Sequence, residues 1–307
     1  MYFLNKKKLR DDYLAEINSL AALTLQNKSL ISQRKTIAVA HVHFPEVWKE
    51  ISSSIRSINP DEIIVTTTQK SDFNNLVRTE FPNATVLELP NQGRDIWPLI
   101  TLAQNGYFKD KAIVFKIHSK KSKHLLNGNR WRRDLLQGIS CSETVASAIK
   151  YLLEFSGYSM IGHDKYLREM DQVRIQANEE YISWSIQNEL TLEAENVSYI
   201  NGTIFACKSE VLSDLAQLDL TSNNFIIESS DNVPFSRTFA TRMYLYERLS
   251  LFRSLKAKRR KMDLTTRPAS SETYALEGYL GFLARKHGKS IGVLTALKEF
   301  SESKPDL

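Results

Sequence analysis

A dense run of basic side chains begins at Lys116 and continues to Arg133, and Asp134 is the first acidic residue after it. Seven lysines and arginines and two histidines make up this run: Lys116, Lys120, Lys121, Lys123, Arg130, Arg132, Arg133, His118 and His124. Basic runs are usually solvated faces. This one starts inside an apolar segment, residues 113–118, that is typical of a buried strand. A basic pocket at the end of a strand is suited to a diphosphate group.

A nucleoside diphosphate that leaves a sugar is often stabilised by a divalent metal held by an Asp-x-Asp pair. The chain contains no Asp-x-Asp sequence. Lysine, arginine and histidine can supply the same positive charge where negative charge develops on a leaving group. The residues therefore favour metal-independent chemistry with no metal site and no required cofactor, and they leave the role of a divalent metal open.

A second polar group, Asn91-Gln92-Gly93-Arg94-Asp95, follows one predicted strand and opens a helix. Gly93 permits an unusual backbone conformation, and the N–H groups of a helix N-terminus can bind an anion. Arg94 can contact a phosphate in bidentate fashion. Asp95 can cap the helix or bind a sugar hydroxyl. A plain strand-to-helix turn accounts for Gly93 and Asp95 but leaves Arg94 unexplained.

His41 and His43 lie two residues apart near the end of the first predicted strand, so their side chains point to one face. The pair either contacts a ligand or is hydrogen-bonded inside a packed sheet. Taken alone, the two residues favour the second interpretation.

Alternating strands and helices must position these groups. Apolar, β-branched segments predict four strands over residues 36–44, 62–68, 84–89 and 112–117. Helices are predicted from Pro45 through Ile55 and over 72–81 and 95–107. This alternation predicts an α/β fold with a mostly parallel, Rossmann-like sheet and helices on both faces. Ligands are expected at the edge that the carboxyl ends of the strands share.

The rest of the chain extends this plan. We predict an N-terminal helix within 1–35, an α/β nucleotide-sugar-binding domain over 36–220 and a mostly helical region over 221–307. Further elements are predicted as one helix over 131–155, a strand over 158–161, a polar helical stretch over 165–196, a strand or strand pair over 197–208 broken at Asn201-Gly202, a helix over 210–218, a loop over 221–237 and a last helix over 272–287.

Composition limits the classes of protein. Hydrophobic residues make up 42% of the 307 residues, and no apolar stretch approaches the ~18–20 residues needed to cross a bilayer. Only two cysteines are present, Cys141 and Cys207, which favours the reducing cytoplasm. The net charge of +6 suits nucleic acid, anionic lipid or a phosphorylated substrate. Nothing but this charge supports nucleic acid, because the basic run lacks the interleaved aromatic residues of a single-strand-binding surface. We therefore expect no nucleic-acid partner.

A basic helix predicted over 237–261 has two interpretations. Between Arg242 and Lys261 lie eight lysines and arginines and one acidic residue, Glu247, together with several apolar residues. Such a helix can lie on an anionic membrane surface at the inner face of the plasma membrane. It can equally pack through its apolar face and leave the basic side in water.

The polar groups lie in seven segments of fixed order: HVHFPEVWKEI (41–51), TTT (66–68), FPNATVLELPNQGRDIWPL (81–99), FKIHSKKSKH (115–124), WRRDLLQGI (131–139), MIG (160–162) and NGTIFACKSEVL (201–212). In this order they resemble the rhamnan synthesis protein F family over about residues 36–220. Members of that family act in the assembly of rhamnose-containing polysaccharides and are regarded as glycosyltransferases. The resemblance implies transfer of rhamnose from a deoxythymidine-diphosphate (dTDP) sugar to a lipid-linked glycan, such as a lipopolysaccharide O-antigen, on a GT-A-like fold.

The resemblance also implies roles for individual residues. Residues 118–121 stand where a GT-A enzyme carries its Asp-x-Asp, after the fourth strand. The donor and its diphosphate would be bound by His41, His43, Asn91, Gly93, Arg94, His118, Arg132 and Arg133. The acceptor side would be lined by Asn201, Gly202 and Thr203. The catalytic candidates are Asp95, Glu277, Lys120 and Lys121.

The catalytic base is the least defined of these roles. An inverting transferase needs a carboxylate to take the proton of the acceptor hydroxyl, and Asp95, Glu277 and Glu247 are the candidates. Family members tend to carry an Ala-Leu-Glu-Arg element, which residues 274–278 match only in part because Gly278 replaces the arginine. A non-catalytic nucleotide- or glycan-binding module of a polysaccharide assembly complex is therefore the alternative.

Overall fold

The protein is seen in a computed structural model that describes residues 34–68, 71–119, 128–155, 157–169, 197–225, 271–288 and 291–293. The predicted N-terminal helix, the stretch over 170–196 and the basic helix over 237–261 lie outside the described residues. Within the described ranges no helix combines the length and the apolar character that a membrane crossing requires.

The described residues contain nine strands, which form one large and one small sheet. They are β1 (Lys35–Val42), β2 (Glu62–Thr67), β3 (Thr85–Glu88), β4 (Ala112–His118), β5 (Met160–Gly162), β6 (Leu167–Glu169), β7 (Ser198–Ile200), β8 (Phe205–Lys208) and β9 (Ile291–Val293). The large sheet has seven strands in the order β3-β2-β1-β4-β8-β5-β9, and β8 runs antiparallel to both of its neighbours. The remaining contacts in this sheet are parallel. Strands β6 and β7 pair antiparallel in the small sheet. The mostly parallel sheet is confirmed.

In the described ranges, seven α-helices flank the large sheet: α1 (Trp48–Ile58), α2 (Ser71–Glu80), α3 (Ile96–Gln104), α4 (Gly128–Ser140), α5 (Glu143–Phe155), α6 (Ser209–Ser213) and α7 (Ser271–His287). Helices α1, α4 and α5 pack on one another, and α3, α6 and α7 form a second group. Helices on both faces of the sheet and a helical C-terminal segment are thus confirmed.

The central strands are buried because most of their residues are apolar. Every residue of β4 is buried, as is every residue of β1 after Lys35. Continuous apolar runs of this kind are typical of strands covered on both faces. On α1, Trp48, Ile51 and Ile55 recur at helical spacing and are buried. The predicted start at Pro45 is a 3₁₀ turn, Pro45–Val47, that leads into this helix.

Two predicted helical stretches differ from the structure: 131–155 is divided, and the start of 165–196 contains the strand β6 (Leu167–Glu169). The single helix predicted over 131–155 is divided into α4 and α5, because the Ser142 hydroxyl accepts a hydrogen bond from the Val145 N–H (3.2 Å) and so caps a new helix. The segment 197–208 has the predicted break at Asn201-Gly202. Its two strands, β7 and β8, belong to different sheets, and the chain passes between them through a turn at residues 201–203.

Helix α7 packs closely against β7 at Gly281, where a larger side chain would not fit. A Cβ atom on Gly281 would lie 2.2 Å from the Ser198 carbonyl oxygen. Alanine is favoured over glycine in a helix by about 1 kcal/mol, but overpacking against backbone costs about 1–3 kcal/mol or more. We expect Gly281→Ala to lower the free energy of unfolding in urea. Ser53→Ala, at an exposed position of α1, is the control and should be neutral or stabilising. A stabilised Gly281→Ala would contradict the close packing.

Candidate active site at the carboxyl edge of the sheet

A polar row crosses three strands at the carboxyl edge of the large sheet. His41 on β1 is in register with Thr66 on β2 and with His118 on β4. Paired residues of neighbouring strands point to the same face of a sheet, so the three side chains lie side by side. His41 Nδ1 is 3.0 Å from the Thr66 hydroxyl. His41 and His118 are only 5% exposed, so the row forms a polar floor rather than a surface.

Lys116 provides a buried positive charge beside this floor. It lies two residues before His118 on β4, hence on the same face, and is 1% exposed. Its ammonium group forms an ion pair with Asp95 and donates a hydrogen bond to the Thr203 carbonyl oxygen (2.8 Å). The Thr203 hydroxyl donates to the same carboxylate oxygen of Asp95 (2.5 Å). A buried lysine is tolerated because its charge is neutralised and hydrogen-bonded.

His118 joins this cluster through both ring nitrogens. Its Nε2 lies 2.9 Å from the Gly202 carbonyl oxygen, and since a carbonyl can only accept, Nε2 carries the proton. Its Nδ1 faces the other carboxylate oxygen of Asp95 at 3.4 Å. Asp95 therefore lies between a lysine and a histidine.

Two of the three carboxylates considered as bases, Asp95 and Glu277, lie against the same turn, and Glu247 lies outside the described residues. Asp95 precedes α3 but makes no capping hydrogen bond, which rules out the first of its two possible roles, and its carboxylate points to Lys116 and Thr203. Glu277 on α7 accepts a hydrogen bond from the Gly202 N–H (2.6 Å). The structure thus brings together Asp95, His118, Glu277 and the predicted acceptor turn.

The turn of residues 91–95 has the unusual backbone that its glycine predicted. Gly93 and Arg94 both adopt left-handed conformations, with φ of 58° and 54°. A Cβ on Gly93 would lie 2.6 Å from the Trp97 Cβ, so only glycine fits. The buried Gln92 amide donates to the carbonyl oxygens of Ser222 (2.6 Å) and Phe225 (2.9 Å). The turn that carries Asn91 and Arg94 is therefore tied to residues 222–225.

Ser119, which directly follows β4, binds the residues that directly follow β1. The Ser119 hydroxyl accepts hydrogen bonds from the backbone N–H groups of His43 (2.8 Å) and Phe44 (2.9 Å). His43 Nδ1 is 2.7 Å from the Thr68 hydroxyl. His43 follows β1 rather than lying within it, and it is only partly buried. It is thus the more accessible of the two histidines.

The remaining predicted residues lie elsewhere or outside the described ranges. The Arg132 guanidinium binds both carboxylate oxygens of Glu50 on α1 (3.1 and 2.9 Å), and Arg133 is exposed on α4. The half-buried Asn201 donates its backbone N–H to the Tyr166 carbonyl oxygen (2.9 Å). Lys120 and Lys121, which follow Ser119 closely in the chain, lie outside the described residues.

The electrostatics of the floor keep one histidine neutral. The pKa of His41 is lowered to about 4, chiefly by burial; the Asp95 charge opposes this shift and the positive charge of Lys116 contributes to it. His41 therefore carries no charge near neutral pH and acts as a hydrogen-bonding group. Across the described parts of the chain, no three His, Cys, Asp or Glu side chains are grouped so that they could hold a metal ion.

Four residues that build this site were given no role of their own from the sequence: Lys116, Thr66, Gln92 and Ser119. Lys116 was seen as the start of a basic run, but a lysine in the middle of an otherwise apolar strand signals more. Such a charge needs a buried partner, and a search for a carboxylate at the same sheet edge would have led to Asp95.

Known proteins similar to this chain include two curated relatives and one solved structure. The relatives are both called uncharacterized protein WxcX, from Xanthomonas campestris pv. campestris strains B100 and ATCC 33913, and are 23% identical over 191 residues. That match covers 61% of this chain and 27% of each relative, so the chain matches about a quarter of their length. The crystal structure of 4-diphosphocytidyl-2C-methyl-D-erythritol synthase matches with a TM-score of 0.32 at 14% identity, over 61% of this chain and 82% of that one.

A family model gives a match over most of the chain. The model of rhamnan synthesis protein F matches residues 4–249. This range contains the turn of residues 91–95, the strand that carries Lys116 and His118, and the turn of residues 201–203. The chain belongs to the rhamnan synthesis protein F family.

Proposed function

We propose that the protein is a glycosyltransferase that transfers rhamnose from a dTDP-sugar to a growing lipid-linked bacterial surface polysaccharide. The observation that carries this proposal is the convergence of three loops at one sheet edge. The residues that follow β1 bind Ser119, directly after β4, and the turn after β3 brings Asp95 against Lys116 and His118 on β4. Ligands of open α/β sheets bind at this edge, and the family is one of polysaccharide synthesis.

We assign a separate role in the reaction to each of the loops at this edge. The turn of residues 91–94 binds the donor, with Arg94 on the diphosphate. Lys120 and Lys121 stabilise the leaving diphosphate in place of a metal, and each contributes a factor of roughly 10² to turnover. The turn of residues 201–203 contacts the acceptor. The reaction inverts the sugar centre, and the mostly parallel sheet is consistent with a GT-A-like enzyme.

One observation favours the alternative of a non-catalytic binding module. Asp95 and Glu277, the two base candidates within the described residues, both accept hydrogen bonds from the protein itself. A carboxylate that is held in this way is less available to a substrate hydroxyl. The binding module would keep affinity for nucleotide sugars without turnover, so binding and turnover must be measured separately.

We further propose that the protein acts in the cytoplasm, on the inner face of the plasma membrane. A lipid-linked acceptor resides at a membrane, and the basic segment 237–261 could lie on anionic lipid. Flotation with liposomes tests this proposal. Binding to vesicles with anionic lipid and not to neutral vesicles is expected, and equal flotation with both would refute it.

The donor is tested by thermal unfolding with nucleotides and nucleotide sugars, in EDTA and in Mg²⁺ or Mn²⁺. A ligand that binds only the folded state raises its stability, by about 2.7 kcal/mol at 100 times Kd. We expect stabilisation by dTDP-rhamnose that persists in EDTA. A shift that needs metal would overturn the metal-free mechanism, and no shift with any nucleotide would overturn the proposed donor.

Arg94→Gly is the matched variant for this experiment. Glycine accepts the left-handed backbone at position 94 without strain, so the turn is retained while the guanidinium is lost. We expect the dTDP-rhamnose shift to fall sharply in Arg94→Gly and to stay unchanged in Arg78→Ala, at an exposed position of α2. A wild-type shift in Arg94→Gly would remove Arg94 from the donor site.

A further inference from the structure

The turn of residues 201–203 is held by four ionisable side chains from three separate elements. Glu277 on α7 accepts from the Gly202 N–H (2.6 Å), and His118 on β4 donates to the Gly202 carbonyl oxygen (2.9 Å). Lys116 on β4 donates to the Thr203 carbonyl oxygen (2.8 Å), and Asp95 before α3 accepts from the Thr203 hydroxyl (2.5 Å). Both peptide groups of the turn are thus fixed by side chains.

These hydrogen bonds hold the turn in an unfavourable backbone conformation. Gly202 and Thr203 have φ of 102° and 51°, and the left-handed region is costly for a β-branched residue such as threonine. A Cβ on Gly202 would lie 2.9 Å from Leu135, so the turn also packs closely on α4. Strained backbone persists only where the surroundings over-determine it, and such positions cluster at functional sites.

The surroundings of Glu277 suit a residue that holds the turn of residues 201–203 in place. The side chain is 9% exposed and one of its carboxylate oxygens is occupied by the Gly202 N–H. Helix α7 is seated against β7 through Gly281, one turn along the helix from Glu277. The carboxylate is therefore carried to the turn by a closely packed helix that reaches it from a distant part of the chain.

We propose that Glu277 is a positioning residue, which fixes the Gly202–Thr203 turn through the Gly202 N–H so that the turn offers a preformed edge to the acceptor glycan. This inference rests on the proposed glycosyltransferase function for the identity of the ligand. It assigns the catalytic proton transfer to a group other than Glu277. The hydrogen bond itself is independent of any substrate.

Two variants separate a support from a base. Glu277→Gln keeps an oxygen that can accept from the Gly202 N–H but cannot take up a proton near neutral pH, whereas Glu277→Ala removes both capacities. The deciding measurement is amide hydrogen exchange at Gly202 without substrate. We expect exchange to be about tenfold or more faster in Glu277→Ala and close to wild type in Glu277→Gln. If amide exchange at Gly202 is unchanged in Glu277→Ala, Glu277 does not fix the turn, and the proposal is refuted regardless of the transferase activity of the variant.

Steady-state kinetics with dTDP-rhamnose and a lipid-linked rhamnose oligosaccharide give the second readout. A positioning role predicts that Glu277→Gln keeps turnover within about threefold of wild type and that Glu277→Ala raises the acceptor KM about tenfold with donor affinity unchanged. A general base would cost roughly 10²–10⁴ in turnover in Glu277→Gln, and that result would overturn the proposal. Glu169→Gln, exposed on β6, is the control. Absence of turnover in the wild type would count against the proposed function, while hydrogen exchange would still decide the role of Glu277.

Discussion

Lys116→Met is expected to lower the free energy of unfolding by about 3–5 kcal/mol, the cost of removing one partner of a buried ion pair. Methionine has nearly the volume and shape of the lysine side chain, so packing changes little. Asp95, only 8% exposed, would lose its ammonium partner, and the Thr203 carbonyl oxygen would lose a donor. Urea unfolding at pH 7 measures the loss.

An exposed ion pair of the same type provides the control. Lys35 on β1 binds Glu62, but its side chain is 46% exposed, and pairs of this kind contribute about 0–1 kcal/mol. Lys35→Met should therefore change stability little. The double variant Lys116→Met/Asp95→Leu should recover much of the loss, since it leaves no uncompensated charge. A Lys116→Met variant as stable as Lys35→Met would show that the buried pair contributes nothing.

Stability is expected to fall in mild acid because of His41, by up to about 3 kcal/mol between pH 6.5 and 4. The pKa of His41 is lowered to about 4 in the folded protein by burial, whereas an unfolded histidine titrates near ~6.5. In this window the unfolded chain binds the proton and the folded one does not. Above the pKa of the unfolded state, His41 is neutral in both states and does not reduce the free energy of unfolding. The free energy of unfolding falls as the pH drops from that value to the pKa of the folded state.

The pH prediction is tested by the difference between variants, because other groups also titrate in this window. His41→Asn should show a shallower fall in stability from pH 6.5 to 4 than the wild type. Thr66→Val removes the hydrogen-bond partner of His41 without removing the titrating group. It should keep a steep fall while lowering stability overall. Parallel curves for the wild type and His41→Asn would contradict a lowered pKa.

The parallel half of the fold was predictable because its signals are local. Strands β1 to β4 and helices α1 to α3 were predicted with ends within a few residues of those observed, since continuous apolar runs and helical spacing mark them. The short strands β5, β8 and β9 obtain their places in the sheet from pairings between distant segments, such as Met160 beside Ile291. Three-residue strands carry too little pattern to fix such partners.

The location of the candidate site was predictable, but the hydrogen bonds and ion pairs between its residues were not. The shared edge of the strands predicted that residues 91–95 and His118 lie close together, and Asp95 and His118 are indeed neighbours. The contacts of Lys116 with Thr203 and of Glu277 with Gly202 span 87 and 75 residues. Contacts of that range depend on three-dimensional packing, which helix and strand periodicity do not encode.

The hydrogen bond between Glu277 and Gly202 has a consequence for synthesis of the chain. Ribosomes add about 5–20 residues per second, so the 75 residues that separate the two positions take roughly 4–15 s. During that interval the sheet from β1 to β8 has been made, but the turn of residues 201–203 lacks one of its four supports. The edge that we assign to the acceptor therefore gains the support of Glu277 only after the strands β1 to β8 have been synthesised.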